Sequence, residues 1–153
     1  MEKQEYKDTA ALAANGDAKA FSHLYETLYR EMYYTACYSL KSDADAVEVV
    51  LGTVKDGFAA IGRLRSESAF RSFMMKSLCA RIKLRLKESD SEDDPVHDGL
   101  RAEFAQLDDN VRVITALYVS GRFTPEEIAA YTGATAGAVR RKLKKGLELF
   151  ELD

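Results

Sequence analysis

Two clusters of basic residues are the strongest chemical signal in this sequence. The denser cluster has five cations within the six residues 140–145, and the larger one has eight cations and the single anion Glu67 between Arg63 and Lys87. Guanidinium and ammonium groups at this density bind phosphates and release the counterions condensed on a nucleic acid. No carboxylate pair, metal-ligand cluster or nucleophile–base set stands out. The sequence therefore predicts a DNA-binding protein with no catalytic activity, metal or cofactor.

The denser cluster follows a pattern typical of a helix-turn-helix. Thr124 is a good N-cap, and Pro125 suits the first helical position. Gly133 can adopt the left-handed backbone conformation that ends this helix, and Thr135 can cap the next one. A turn of about three residues between two helices is what the motif requires. The alternative is an amphipathic terminal helix with a solvated basic face.

The second of these helices is predicted to be buried on one side and basic on the other. Its apolar stripe follows helical spacing and consists of Val139, Leu143, Leu147 and Phe150. Small residues at its beginning would allow close approach to a major groove, where recognition helices contact base edges. The predicted DNA-binding residues are Thr135, Ala136, Gly137, Ala138, Arg140, Arg141, Lys144 and Lys145. Among them, the two arginines are predicted to bind guanine and the two lysines to bind phosphates.

The remaining pattern predicts an all-α chain in two small helical bundles. Residues 89–99, SDSEDDPVHDG, carry five acidic side chains, no cation and almost no apolar residue. Such a segment buries too little surface to offset its ordering entropy. We predict a flexible acidic linker there, between a helical domain at 1–88 and a helix-turn-helix domain at 100–153. Because the linker has about eleven residues, the two domains can close on each other.

Six helices are predicted besides the two of the helix-turn-helix. Their approximate ranges are 6–14, 17–40, 42–62, a segment that follows Ser66 or Ser68, 100–106 and 111–119. The third is predicted to bury a stripe of Val47, Val50, Leu51, Val54, Phe58 and Ile61. The fourth is predicted to bury Phe70, Phe73, Met74, Leu78 and Ile82. Cys37 and Cys79 match no metal or redox spacing, so buried free thiols are expected.

Composition limits the class of protein. The chain of 153 residues is 46% hydrophobic and 31% charged, with a net charge of −3. No run approaches the roughly 18 apolar residues of a membrane span, and the polar start MEKQEYKD is unlike a signal peptide. We therefore expect a cytoplasmic protein with no membrane partner.

The order of parts resembles an extracytoplasmic-function sigma factor of bacterial RNA polymerase, a type with only conserved regions two and four. ALAANGDAKAFSHLYETLY at 11–29 looks like the opening of that family. Residues 43–61, DADAVEVVLGTVKDGFAAI, fall where the family has its polymerase-contacting helix, and 69–87 fall where it has its strand-opening helix. Residues 106–151 resemble region four, with EEIA, the turn glycine and Gly137-Ala138-Val139 in register.

This resemblance implies partners and further site residues. The partners would be core RNA polymerase, through the clamp of its beta-prime subunit, promoter DNA and an anti-sigma factor. The helix-turn-helix residues would bind the minus-35 element. The minus-10 element would be bound by Arg63, Arg65, Arg71, Lys76, Arg81, Lys83 and Arg85. Polymerase would be bound by Asp45, Glu48, Leu51, Gly52 and Lys55.

Several positions depart from the family pattern and keep other functions open. A Gln-Glu pair is usual where this chain has Leu51-Gly52, and an asparagine and an aspartate are usual at Ala80 and Leu84. One alternative is a sigma-like mimic that binds an anti-sigma factor without initiating transcription. Another is a helix-turn-helix repressor with a dimerising first half.

Overall fold

The computed structural model describes residues 13, 18–40, 42–88 and 99–151, and all regular structure among them is helical. The predicted all-α class is confirmed. In the described residues the helices are α1 (Ala18–Ser39), α2 (Asp43–Ala60), a 3-10 turn (Ile61–Arg63), α3 (Glu67–Glu88), α4 (Gly99–Ala105), α5 (Asp109–Val119), α6 (Pro125–Thr132) and α7 (Ala136–Glu151). Apart from Ala13, the predicted first helix lies outside the described residues, as does the predicted linker apart from Gly99.

Side-chain caps set the beginnings of several helices. Ser42 Oγ accepts a hydrogen bond of 3.3 Å from the backbone N–H of residue 45, at the start of α2. Ser66 Oγ accepts one of 3.0 Å from residue 69, so Ser66 and not Ser68 starts α3. Each hydroxyl satisfies one backbone donor that has no partner within the first turn of a helix. These two caps therefore fix where α2 and α3 begin.

The buried face of α2 differs from the predicted one. The buried residues are Ala46, Val49, Val50, Thr53, Gly57 and Ala60. Val47, Leu51 and Phe58, three members of the predicted stripe, are instead exposed by 44%, 55% and 54%. The prediction holds for Val50 and Ile61, which are buried, and was wrong for these three residues. The reason is that α2 is apolar on most sides, which makes two stripes possible. Close packing against α3 selected the stripe that contains small residues, since a Cβ at Gly57 would lie 2.4 Å from Met74 Sδ.

The two halves of the chain pack directly on each other. α5 lies against α1, and α6 lies against α3. Buried residues of both halves, such as Met32 and Leu78 in the first and Leu117 and Ile128 in the second, belong to one continuous apolar cluster. The halves are therefore closed on each other, whereas their division into two domains remains a prediction.

A glycine lets α7 cross α5 at short range. A Cβ at Gly146 would lie only 1.9 Å from Thr115 Oγ1, and Thr115 is fully buried. We expect Gly146→Ala to lower the free energy of unfolding by about 1–3 kcal/mol, because one of the two helices must shift. Urea denaturation would measure this loss. The control is Gly137→Ala on the same helix, which faces open space and should gain about 0.5–1 kcal/mol. Equal stability of the two variants would contradict the close crossing.

Both cysteines are buried thiols, as predicted. Burial raises the pKa of the Cys79 thiol to about 12, and nearby Lys83 offsets this only in part. Since the thiolate is the reactive form, Cys79 is protected both by its position and by its protonation.

No helix in the described part of the chain is both long and apolar enough to cross a membrane.

Candidate nucleic-acid interface

The α6–α7 pair is held together by local capping. Thr124 Oγ1 accepts a hydrogen bond of 3.1 Å from the N–H of Glu127, and the Glu127 carboxylate accepts one of 2.9 Å from the N–H of Thr124. This reciprocal box satisfies two donors at the start of α6. Gly133 ends α6 with a φ of 78°, and Thr135 Oγ1 accepts a 3.1 Å bond from Ala138 N–H to begin α7. The predicted turn chemistry is confirmed at each of these positions.

α7 separates apolar and basic surfaces. Val139 and Leu143 are buried, and Leu147 is half-buried against the same core. The exposed side carries the predicted residues Gly137, Arg140, Arg141, Lys144 and Lys145. Thr135 is also exposed, whereas Ala136 and Ala138 are half-buried. The structure thus brings most of the residues predicted to bind DNA to one solvent-facing side of one helix.

One of these cations already has a protein partner. The Arg140 guanidinium forms an ion pair with the Glu126 carboxylate in the first turn of α6. Both side chains are more than half exposed, so the pair contributes little to stability and can be exchanged for a phosphate. Arg141, Lys144 and Lys145 form no ion pair within the described part of the chain.

In the first half, two predicted DNA-binding arginines are instead engaged with α2. Arg81 on α3 donates to both oxygens of Asp56, with 2.7 Å from Nε and 2.8 Å from Nη2. Ser77 Oγ donates a third bond of 2.7 Å to the same carboxylate. The hydrogen bond from Arg81 holds the pKa of the Asp56 carboxyl below its ordinary value, Ser77 lowers it further, and partial burial works in the opposite direction. Arg81 thereby joins α3 to α2.

Arg85 makes a second link of the same kind. Its Nη2 donates to Asp45 at 2.9 Å and also contacts the Glu48 carboxylate. Asp45 and Glu48 were predicted to bind polymerase, and Arg85 was predicted to bind DNA. The structure pairs these two predicted sites with each other. Polymerase would therefore meet carboxylates, and DNA a guanidinium, that already have a partner within the protein.

A third predicted DNA-binding arginine lies between the two halves. The Arg71 guanidinium carbon sits 4.9 Å from the centre of the Phe123 ring, a cation–π distance. Arg71 also interacts with the Tyr131 hydroxyl, whose pKa is raised mainly by burial and lowered in part by Arg71. Phe123 and Tyr131 themselves make an edge-to-face contact at 5.2 Å. Arg71 is therefore covered by the second half in this closed arrangement.

The remaining cations of the predicted minus-10 set are exposed. They are Arg63, Arg65, Lys76 and Lys83. Lys76 and Lys83 border a cleft of about 230 Å³ between α3 and the second half, where Lys142 of α7 lies across from them. Four of the seven predicted residues thus remain accessible, and the other three hold the fold together.

The most buried charge in the described chain was not predicted. Arg112 of α5 is 2% exposed, and it donates to the Ser39 carbonyl at 2.8 Å, to the Leu107 carbonyl at 2.7 Å and to the Asp109 carboxylate at 2.7 Å. The bond to Ser39 crosses from the second half to the end of α1. A sequence signal exists, since Arg112 lies three residues after Asp109 and on the same side of α5 as Thr115 and Ala116.

A glycine in α2 makes room for the Arg81 link. A Cβ at Gly52 would lie 2.3 Å from Arg81 Nη1, so we expect Gly52→Ala to displace the guanidinium and raise the pKa of Asp56 from its lowered value. NMR titration of the carboxyl would measure this change. Because the folded pKa is below the unfolded one, the pair stabilises the protein above pH ~4 and is lost as pH falls through the folded pKa. Gly52→Ala should therefore flatten this part of the acid stability profile.

Lys55→Ala is the control for that titration. Lys55 lies on α2, three residues from Gly52, but it makes no contribution to the Asp56 pKa shift. An Asp56 pKa that shifts equally in both variants would contradict the assignment to Arg81.

The described residues include no group of three His, Cys, Asp or Glu side chains placed to hold a metal ion.

Comparison with known proteins supports a fold and leaves the activity open. No family model matches the sequence, and no curated protein matches it. Among solved structures, the chain is similar to CnrH in complex with the cytosolic domain of CnrY, with a TM-score of 0.75 and 18% sequence identity. The likeness covers 96% of this chain and 95% of the other. CnrH is an extracytoplasmic-function sigma factor. At this identity the likeness shows a shared helical fold along nearly the whole length of both chains.

Proposed function

We propose that this chain is an extracytoplasmic-function sigma factor, which directs core RNA polymerase to specific promoters. The observation that carries the proposal is the exposed basic side of α7, which follows the capped helix α6 in a chain with the CnrH fold. A helix with an anchored apolar side and a cationic outer side has the form of a recognition helix. The fold alone would not be sufficient, because one fold hosts many functions.

In this proposal, α7 binds the minus-35 element. Gly137 leaves open space at the beginning of the helix, where recognition helices approach base edges. Arg141 and, after release from Glu126, Arg140 are long enough for bidentate bonds to guanine. Lys144 and Lys145 lie one turn further and would bind phosphates. The same residues would then supply sequence selectivity and a steep salt dependence.

The first half would bind the minus-10 element through the cations that remain accessible. Arg63 and Arg65 lie around the turn before α3, and Lys76 and Lys83 lie on α3 itself. Arg81 and Arg85 would instead position α3 by their pairs with α2. Arg71 would reach DNA only after the second half moves away from α3. We therefore propose that promoter binding requires opening of the closed arrangement.

The partners would be core polymerase, promoter DNA and an anti-sigma factor. CnrH was solved in complex with the cytosolic domain of CnrY. By analogy, we propose that an anti-sigma protein binds this chain while its halves are closed on each other. Such a partner would keep Arg71 covered and so oppose promoter binding.

A sigma-like mimic is the second candidate, and the α2–α3 ion pairs favour it. Asp45 and Glu48, both predicted to bind polymerase, are neutralised by Arg85, and Gly52 holds space for Arg81. A chain that only occupies an anti-sigma factor would need neither carboxylate. The exposed cations of α7 argue against this candidate, because a mimic that never binds DNA has no use for them.

Reconstitution with core RNA polymerase tests the proposal. The chain would be mixed with core enzyme and a promoter library, and both binding to core enzyme and initiated transcripts would be measured. We expect binding and initiation at a subset of promoters. As a control, Arg141→Ala with Lys144→Ala and Lys145→Ala should bind core enzyme but select no promoter. A chain that fails to bind core enzyme contradicts the proposal, and one that then still binds an anti-sigma domain supports the mimic.

A further inference from the structure

The outer side of α2 carries apolar side chains that are not covered in the described part of the chain. Val47, Leu51 and Phe58 are exposed by 44%, 55% and 54%, and Val54 between them is half-buried. We call these four residues the α2 seam. They are spaced by four, three and four positions. This alternation of four and three positions is that of a heptad pattern, which keeps apolar side chains in line along a helix that packs against another helix.

The seam is separate from the face that packs into the core. Val50, Thr53 and Gly57 are buried on the inner side of α2. A helix that only covers a core needs one apolar stripe, and the opposite side is normally polar. α2 has a second stripe, and an exposed apolar patch of this regularity is a typical protein contact.

Charges beside the seam restrict what can bind there. Glu48 and Lys55, both exposed, lie one heptad apart on the same flank of the seam. The Glu48 carboxylate also contacts Arg85 of α3, but its side chain is 68% exposed and can accept a second cation. The neighbouring carboxylates of Asp45 and Asp56 are neutralised by arginines of α3. The surface therefore carries little net charge to attract a strongly basic or acidic partner. It suits a helix with a matching apolar seam and one charge of each sign.

We propose that a second copy of this chain binds the α2 seam, with its own α2 in antiparallel orientation. In a two-fold symmetric contact centred between residues 52 and 53, Leu51 packs on Val54 of the second copy, and Val47 packs on its Phe58. The same symmetry brings Glu48 beside Lys55 of the second copy, at both ends of the contact. An isologous interface requires such self-complementarity, and the seam provides it in both shape and charge.

The neighbouring helix limits and extends this interface. Phe21 of α1 makes an edge-to-face contact with Phe58 at 5.3 Å, so α1 borders one end of the seam. Tyr29 lies two turns further along α1 and is 42% exposed. Aromatic side chains at such a rim add contact area at low entropic cost. A single helix pair is still small for a dimer, so we expect a dissociation constant on the order of micromolar or weaker.

Self-association would also regulate the proposed function. Leu51, Gly52 and Lys55 belong to the set predicted to bind polymerase. Of these, Leu51 is part of the seam and Lys55 lies on its charged flank. Only this consequence rests on the proposed function, since the dimer itself requires no polymerase. Where both hold, core enzyme and the second copy compete for α2, and the free pool of this protein is inactive at high concentration.

Sedimentation equilibrium of the full chain tests the dimer without polymerase or DNA. We expect the mass to rise from monomer to dimer over roughly two decades of concentration. Leu51→Gln should raise the dissociation constant at least about tenfold, by removing two apolar layers of the contact. The matched control is Val119→Gln, since Val119 is also an exposed apolar residue, at 39%, but belongs to α5 in the second half. A chain that is monomeric at every concentration overturns the proposal, as does a dimer unaffected by Leu51→Gln.

A charge swap tests the antiparallel orientation. Glu48→Lys and Lys55→Glu should each weaken the dimer several-fold, because each places like charges side by side at both ends. The double variant restores both intermolecular pairs and should bring the dissociation constant back toward that of the natural chain, while the contact of residue 48 with Arg85 stays lost. Failure of this rescue overturns the antiparallel arrangement. Core-enzyme binding is measured separately, so a monomeric chain that binds polymerase refutes the dimer and leaves the proposed function intact.

Discussion

Arg112→Ala is expected to lower the free energy of unfolding by about 2–4 kcal/mol, because a buried guanidinium and its charge-assisted hydrogen bonds are lost. The substitution removes three hydrogen bonds of 2.7–2.8 Å from a side chain that is 2% exposed. It also leaves the carbonyls of Ser39 and Leu107 without this donor. Urea denaturation followed by circular dichroism would measure the loss. Arg141→Ala, the exposed control, should change stability by less than about 0.5 kcal/mol.

The same variant should open the two halves, because one of its three bonds links α5 to the end of α1. Cys79 reports this opening, since it lines the cleft between α3 and the second half and is buried there. In a Cys37→Ala background, thiol labelling at pH 8 should be faster in Arg112→Ala. Leu24→Ala controls for general destabilisation, because Leu24 is fully buried within the first half. The labelling rates are compared under conditions in which Arg112→Ala and Leu24→Ala have the same free energy of unfolding. Equal rates of Cys79 labelling would then show that Arg112 does not hold the halves together.

The second large effect concerns DNA affinity. Arg141→Ala with Lys144→Ala and Lys145→Ala should weaken binding to a selected promoter fragment by roughly 10²-fold to 10³-fold, combining a guanine contact with two phosphate contacts. The slope of log affinity against log salt should also become less steep by about 2–3. Fluorescence anisotropy across a salt series would measure both. Folding should be unaffected, because all three side chains are exposed.

Lys142→Ala is the matched control on the same helix. Lys142 carries the same charge, but it is half-buried and lines the cleft on the opposite side of α7. It should leave promoter affinity and the salt slope nearly unchanged. Equal losses from Lys142→Ala and from the exposed cations would show that only the net charge of α7 matters, and would contradict an oriented recognition helix. A loss of affinity in Arg140→Ala, beyond experimental error, is further expected if this residue leaves Glu126 to bind a base.

Local signals made the second half predictable. The caps at Thr124 and Thr135 and the left-handed Gly133 depend on side chains within three or four residues of each other, so the sequence order determines them directly. The all-α class and the buried cysteines also followed from pattern and composition. The amphipathic character of α7 was equally readable, because its apolar positions form one stripe and its charges are excluded from it.

Long-range contacts were the part that could not be predicted. Arg81 meets Asp56, and Arg85 meets Asp45 and Glu48, only after α3 folds back along α2. The sequence of a basic helix alone does not indicate that its arginines form ion pairs with another helix of the same chain. For α2 the difficulty was different, because apolar residues on most sides left two stripes equally consistent with a helix. Arg112 was missed because a charged residue is assigned to the surface unless its partners are known.

The hydrogen bond between Arg112 and Ser39 also orders events during synthesis. Ser39 is the last residue of α1, so its carbonyl is among those that a helix end leaves without an internal partner. Its donor lies 73 residues later in the chain. At about 5–20 residues per second, the ribosome adds that residue roughly 4–15 seconds after Ser39. During this interval the nascent first half exposes the end of α1, together with the α1 surface that α5 later covers. Chaperones or a partner protein can therefore bind this α1 surface before α5 packs on it.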